Sequence, residues 1–231
     1  WESGTVENLI VEDGEVKFPL ICPDPYFEKE DDSSGWSHWQ NDLNNGKSDG
    51  DSYVDYVDHK AEFYQYEVED WGNTEGEREQ FFEQKNVYID TSHISGDNVT
   101  LNFNWELIVG DPGFDDDITE LHVRLKKPNG DWVGNEGTSQ KSPSLWTKKI
   151  DSENSFDFGD TFSNEVEVGL PSNTFDQSGE YTIQIYSYFW FRVFLNGTLE
   201  TTWKVDNLYF EQKWGRQTTN WKSLGGVSPR T

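Results

Sequence analysis

Residues 99–109 read VTLNFNWELIV, and their alternation decides the fold class. Val99, Leu101, Phe103, Trp105, Leu107 and Val109 fall on one side of an extended chain, with Thr100, Asn102, Asn104 and Glu106 on the other. Side chains of a strand point to alternate faces, so the pattern predicts a long, half-buried strand. Leu121, Val123 and Leu125 repeat it and run into a turn at Pro128-Asn129-Gly130-Asp131. Val166 and Val168 alternate with Glu165 and Glu167. Farther on, two strand-like runs, Tyr181 to Leu195 and Thr198 to Phe210, flank Asn196-Gly197. Asn-Gly accepts positive φ at both turn centres, which predicts an antiparallel hairpin. Tyr186, Tyr188, Phe189, Trp190, Phe191 and Phe194 put rings on both faces of the outgoing strand. Such a strand is covered on both sides, or is half core and half binding surface. Segment 24–86, rich in Asp, Glu, Ser and Gly with scattered aromatics, predicts short strands and long acidic loops. There is one alanine, Ala61, and no apolar period of 3.6 residues, which argues against helices. The expectation is an all-β, antiparallel sandwich.

Composition sets the outer limits. The chain has 231 residues and a net charge of −26, from 44 acidic and 18 basic side chains. That balance argues against nucleic-acid binding, which needs clustered Lys and Arg to neutralise phosphates. No apolar run approaches the roughly 20 residues of a membrane span, and no signal-peptide pattern opens the chain. With Trp1 first, the chain reads as a mature or trimmed form. Aromatics make up 16% of residues, which sets it apart from disordered acidic chains. A lone Cys22 and the sequons at Asn98 and Asn196 suit an extracellular, cell-surface glycoprotein. The expected organisation is one domain over 1–211 and a tail over 212–231. That tail carries Lys213, Arg216, Lys222 and Arg230 and no acid, so it is expected to dock on its own acidic domain or on a neighbouring subunit.

Catalytic signatures are absent. There is no Gly-x-Ser-x-Gly, no His-Glu-x-x-His, no phosphate-binding glycine loop and no Cys-x-x-Cys. His38, His59, His93 and His122 are dispersed and read as solvated. Glu106 and Glu120 are the carboxylates to inspect as a glycosidase pair. Calcium is the expected cofactor, in a structural role, because it takes roughly six to eight hard oxygen ligands. Asp111, Asp115, Asp116 and Asp117 form one candidate loop, and Asp49 with Asp51 a second. Trp105 and Trp203 fall within alternating runs and are expected in the core. Trp36, Trp39, Trp71, Trp132 and Trp146 stand in polar, loop-like sequence and are expected to be exposed, where an indole can stack on a sugar ring.

Three short motifs carry a family resemblance. Asn8-Leu9-Ile10-Val11-Glu12-Asp13-Gly14-Glu15-Val16 opens the chain, Gly179-Glu180-Tyr181-Thr182-Ile183-Gln184-Ile185 comes late, and Val205-Asp206-Asn207-Leu208-Tyr209-Phe210 follows. Together with Gly35-Trp36, they resemble the secreted β-jelly-roll domains that include many carbohydrate-binding modules. The opening lacks the aromatic–Glu pair of that family, and the chain is longer than a typical module. The resemblance implies a jelly-roll sandwich and a structural calcium near its two ends, pointing to Asp206 with Glu12, Asp13 or Glu15.

The functional expectation is a non-catalytic extracellular structural protein. It would self-assemble into a homopolymeric filament, tube or coat by exchange of terminal segments. The alternative is a carbohydrate-binding, adhesive module with glycan partners, and a glycan-active enzyme comes third.

Overall fold

The computed structural model describes residues 10–12, 15–17, 19–21, 36–42, 52–68, 73–91, 94, 99–112, 118–134, 143–151, 159–171, 173–194 and 198–212. They form fourteen strands and, among the described residues, no α-helix. In chain order these are β1 (Ile10–Glu12), β2 (Glu15–Lys17), β3 (Pro19–Ile21), β4 (Trp36–Asp42), β5 (Ser52–Val57), β6 (Lys60–Val68) and β7 (Asn73–Ile89). There follow β8 (Val99–Pro112), β9 (Ile118–Lys126), β10 (Trp132–Val133), β11 (Trp146–Asp151), β12 (Thr161–Gly169), β13 (Gly179–Phe194) and β14 (Thr198–Gln212).

Apart from the small β1–β2 pair, the strands build two six-stranded antiparallel sheets. Sheet I runs β10-β9-β13-β7-β4, with β11 beside β10 along the edge of β9. Sheet II runs β12-β8-β14-β6-β5, with β3 continuing the β6 edge of β14. From β6 to β9 each strand lies in the sheet opposite its predecessor, and β12, β13 and β14 alternate again. This alternation is a jelly-roll trait, and it corrects the hairpin expected at Asn196-Gly197. β13 pairs with β7 and β9, whereas β14 pairs with β3, β6 and β8, so the two strands lie in different sheets. A two-residue hairpin stands instead between β5 and β6, where Asp58 and His59 both take positive φ (49° and 64°).

The inner faces meet as the alternation predicts. Leu101, Phe103, Leu107, Trp203, Val205 and Phe210 of sheet II pack against Leu121, Val123, Tyr181, Ile183 and Ile185 of sheet I. Burying one such side chain contributes about 1.5–3 kcal/mol. Rings bridge the layers: Phe63 meets Phe82 edge-on at 5.7 Å, and Phe103 meets Trp146 at 4.9 Å. The Trp203 indole N–H donates to Thr119 Oγ1 at 2.6 Å, which satisfies a fully buried donor.

One end of the interior is polar. Gln65 Nε2 donates to Gln80 Oε1 at 2.9 Å and to Ser187 Oγ at 3.1 Å, while Thr201 Oγ1 donates to Gln65 Oε1. Gln80 Nε2 in turn reaches the carbonyls of Tyr53 and Tyr64 in sheet II. The inward positions of β7 are therefore polar at Arg78, Gln80 and Gln84, all 2% exposed or less. For that reason this 17-residue strand is not legible as an apolar alternation, and the expectation of only short strands over 24–86 is corrected. Two of the irregularities in register carry an asparagine at positive φ. Asn86 (φ 59°) sits where β7 gains a residue against β13, and Asn207 (φ 52°) where β14 gains one against β8.

Candidate functional site

The outer face of sheet I departs from a solvated sheet surface. Strand alternation puts Glu120, His122 and Arg124 of β9, Gln184, Tyr186, Tyr188 and Trp190 of β13, and Glu77, Glu79, Phe81 and Glu83 of β7 on it. Its centre is buried: His122 is 0% exposed, Glu120 3%, Tyr186 4% and Arg124 5%. Phe81, Tyr188 and Trp190 are half-buried at its rim.

The buried groups are tied together in two sets. In the first, His122 Nε2 lies 2.9 Å from Glu120 Oε2, and Nδ1 lies 3.0 Å from both Ser144 Oγ and Thr147 Oγ1. A neutral imidazole with its proton on Nε2 satisfies all three contacts, donating to Glu120 and accepting at Nδ1. This clamp holds segment 143–147 onto β9, with the Leu145 N–H donating to the Val123 carbonyl. Gly134 permits the approach: at its φ of 135°, a Cβ would collide with the Ser144 backbone. A hydroxyl–imidazole–carboxylate chain can activate a nucleophile, but here Ser144 is 6% exposed and shares Nδ1 with Thr147, which suits a structural clamp.

In the second set, the Tyr186 hydroxyl donates to Glu79 Oε1 at 2.8 Å, and the Arg124 guanidinium lies 3.6 Å over the Tyr186 ring. Burial, reinforced by the hydrogen bond to Glu79, pushes the Tyr186 phenol far above its ordinary pKa. Tyr188 is raised as well, by burial first and then by Glu77. Burial lowers the pKa of Arg124, which the contact with Tyr186 and the charges of Glu79 and Glu120 oppose. Gln184 Nε2 donates to Glu83 Oε2 at 3.2 Å. Carboxylates, an amide and a cation thus interleave with rings on one face.

The outer face of sheet II is built differently. A cavity of about 340 Å³ opens there, lined by Lys60, Asn104, Glu106, Ser163, Lys204 and Asp206. Lys60 Nζ lies 3.9 Å from Glu106 and 3.8 Å from Asp206, and Lys204 pairs with Glu62 at 3.1 Å. Beside it, Tyr53 and Tyr64 stack at 4.9 Å, and Tyr64 stacks with Tyr66 at 6.4 Å. These rings use their faces on each other.

The candidate residues read from sequence fall in several places. Trp146 is a strand residue packed against Phe103 and Trp105, so the loop exposure expected for it is corrected. Trp132 lies in β10, half-buried, with Lys126 Nζ 5.6 Å from its ring. Trp36 and Trp39 stand in β4 rather than a loop, and Trp39 is registered opposite Phe81 of the outer face. Trp71, Asn98 and Asn196 lie outside the described residues, as do Lys213, Arg216, Lys222 and Arg230. Glu106 and Glu120 occupy the outer faces of opposite sheets, so no cleft joins them. His122 is fully buried rather than solvated; its flanking Glu120 and Arg124 continue the alternation of β9, which was the available signal.

For calcium, Asp49, Asp51, Asp115, Asp116 and Asp117 are outside the described residues. Asp111 belongs to β8, registered opposite Glu200, and Glu15 to β2, opposite Glu12. Asp206 Oδ1 is buried without a hydrogen-bond partner, as a ligand oxygen would be, but Oδ2 faces the Lys60 ammonium. Among the described residues no group of three or more His, Cys, Asp or Glu converges as a metal site. They do not complete a calcium shell.

No family model matches the chain, and no curated protein matches it. Several solved structures are weakly similar to it. One is a carbohydrate-binding module specific for non-crystalline cellulose, 14% identical, covering 84% of this chain and 95% of its own, with a TM-score of 0.38. Another is a module that recognises mannan, 10% identical, with coverage of 81% and 94% and a TM-score of 0.33. A third, from work on carbohydrate-binding modules of the β-sandwich superfamily, is 15% identical at a TM-score of 0.34. It covers 76% of this chain, which spans 56% of it. These likenesses are weak and assign no ligand to this chain.

Proposed function

We propose that the chain is an extracellular carbohydrate-binding module that holds a glycan across the outer face of sheet I. One observation carries this reading. Positions that would be solvated on an ordinary sheet carry the half-buried rings of Phe81, Tyr188 and Trp190, interleaved with the half-buried carboxylates of Glu77, Glu79 and Glu83 over a buried centre. Rings supply flat apolar surface for pyranose faces, and anchored carboxylates and amides accept and donate to sugar hydroxyls. Sheet II is the weaker candidate, because its rings stack on one another and its carboxylates face lysines. Affinity electrophoresis against a polysaccharide panel tests the reading. Retardation by at least one polymer is expected, weakened about tenfold by Tyr188→Ala or Trp190→Ala and unchanged by Glu165→Ala on the exposed face of sheet II. Free migration in every polymer would overturn it.

Self-assembly through the basic tail remains a proposal without a favouring observation, since residues 213–231 lie outside the described residues. A structural calcium remains one as well, with Asp206 Oδ1 as its best-supported ligand among the described residues. If calcium is bound, EDTA should lower Tm by several degrees and calcium restore it; an unchanged Tm would remove it.

A further inference from the structure

We propose that residues 217–224 form a further strand that closes the free edge of β12 in the same molecule. β12 is the end strand of sheet II: β8 pairs along one side of it, and no described strand pairs along the other. Thr161, Ser163, Asn164, Glu165, Glu167 and Gly169 are exposed, so the unpaired side is open to an arriving strand. Such an edge is a template for pairing with another chain unless something covers it. The core margin is open there too. Of the inward residues of β12, Val166 is buried, whereas Phe162 and Val168 are only partly buried against the core. On the outward side, Glu165 and Glu167 make the rim negative.

The path of β14 identifies the occupant. β12 and β14 flank β8 and both run antiparallel to it, so they point the same way. Gln212 of β14 is registered opposite Val99 and Gly169 of β12 opposite Thr100, so both strands finish at one end of the sheet. A chain that turns back there runs antiparallel to β12. The far side of β12 lies three strand spacings from β14, roughly 14 Å. Five extended steps from Gln212 reach roughly 17 Å, so residues 213–216 suffice for the crossing. Residues 217–224 read QTTNWKSL, with Gly215 before them and Gly225-Gly226 after, and Thr218, Thr219 and Trp221 favour extended backbone. Alternation puts Lys222 and Trp221 on opposite faces of that strand. One face brings an ammonium to the Glu165–Glu167 rim, and the other brings an indole to the margin at Phe162 and Val168. A second β12 would instead set glutamates against glutamates. The short tether also gives this segment a far higher effective concentration than another copy has.

Hydrogen exchange of the whole chain, followed amide by amide by NMR, tests this. In the unaltered chain, the β12 amides that do not donate to β8 are expected to be protected. Asn220→Pro, which breaks pairing in mid-strand, should speed their exchange at least about tenfold. The amides donated to β8 should keep their rates. Lys222→Glu should act in the same direction, by setting a third carboxylate against the rim. Coil-like exchange of the outer amides in the unaltered chain overturns the proposal, as does protection that both substitutions leave intact. Protection that fades on dilution, with dimers or longer species in sedimentation, overturns closure within one molecule and assigns the edge to a second copy.

Discussion

Tyr186 shows how one side chain links stability to pH. Its folded pKa is raised, chiefly by burial and then by Glu79, above an unfolded value of 10.0. Raising the pKa means the fold favours the neutral phenol, so this contribution is complete below about pH 10. It is lost as pH climbs beyond that value, because the unfolded chain then binds fewer protons than the folded one. Tyr53 and Tyr188 are raised in the same sense. The urea midpoint should therefore fall steeply above about pH 10, and Tyr186→Phe should fall less steeply. An identical slope would show that Tyr186 ionises as it does in water. Gly134 gives a second test at this scale. Because a Cβ there would collide with Ser144, Gly134→Ala should displace segment 143–147 and free one His122 Nδ1 contact. The expected loss is about 1–3 kcal/mol by chemical denaturation. The His122 ring resonances should also shift.

At the scale of elements, β7 is the strand least legible in the sequence. Its inward positions include Arg78, Gln80 and Gln84, matched partly by Gln65 and Ser187 rather than by apolar contacts. Gln65 sits at the centre of that ladder, so Gln65→Ala strands buried groups on Gln80, Ser187 and Thr201 at once. We expect a loss of about 2–4 kcal/mol in urea unfolding, larger than for truncating an exposed glutamine. A loss under about 0.5 kcal/mol would mean that water replaces the ladder without cost. β13 and β14 carry the converse lesson. Each was legible as a strand, and β13 as one with two used faces, yet their pairing was not. Asn-Gly reports only local φ freedom, whereas the sheet that each strand joins depends on partners far away in sequence.

At the scale of the whole molecule, charge dominates. A net −26 on a chain of this size opposes its own compact state, and added salt shortens the range of that repulsion. The Debye length falls from about 30 Å at 0.01 M to about 8 Å at 0.15 M salt. Tm should therefore rise over that range of NaCl, in contrast to a protein held by surface ion pairs. A falling Tm would show that pairs such as Lys204–Glu62 outweigh the net repulsion.

The sequence by itself determined the strand content and the inward faces of β8, β9 and β14, because period-two alternation is a local consequence of extended backbone. Val99 to Val109 and Leu121 to Leu125 point where that alternation puts them. It also placed rings on both faces of β13, the hint of a binding surface. Tertiary structure alone decided which strands share a sheet, that Trp146 packs inward, and that Glu106 and Glu120 lie on opposite sides of the sandwich. It alone brought Glu79, Glu120, His122, Arg124 and Tyr186 together from β7, β9 and β13. Those residues are up to 107 positions apart, and no local pattern encodes which distant strand comes to lie alongside. The physical reason is that side-chain direction follows from the torsions of neighbouring residues, whereas a site across strands depends on the free energy of the whole packing.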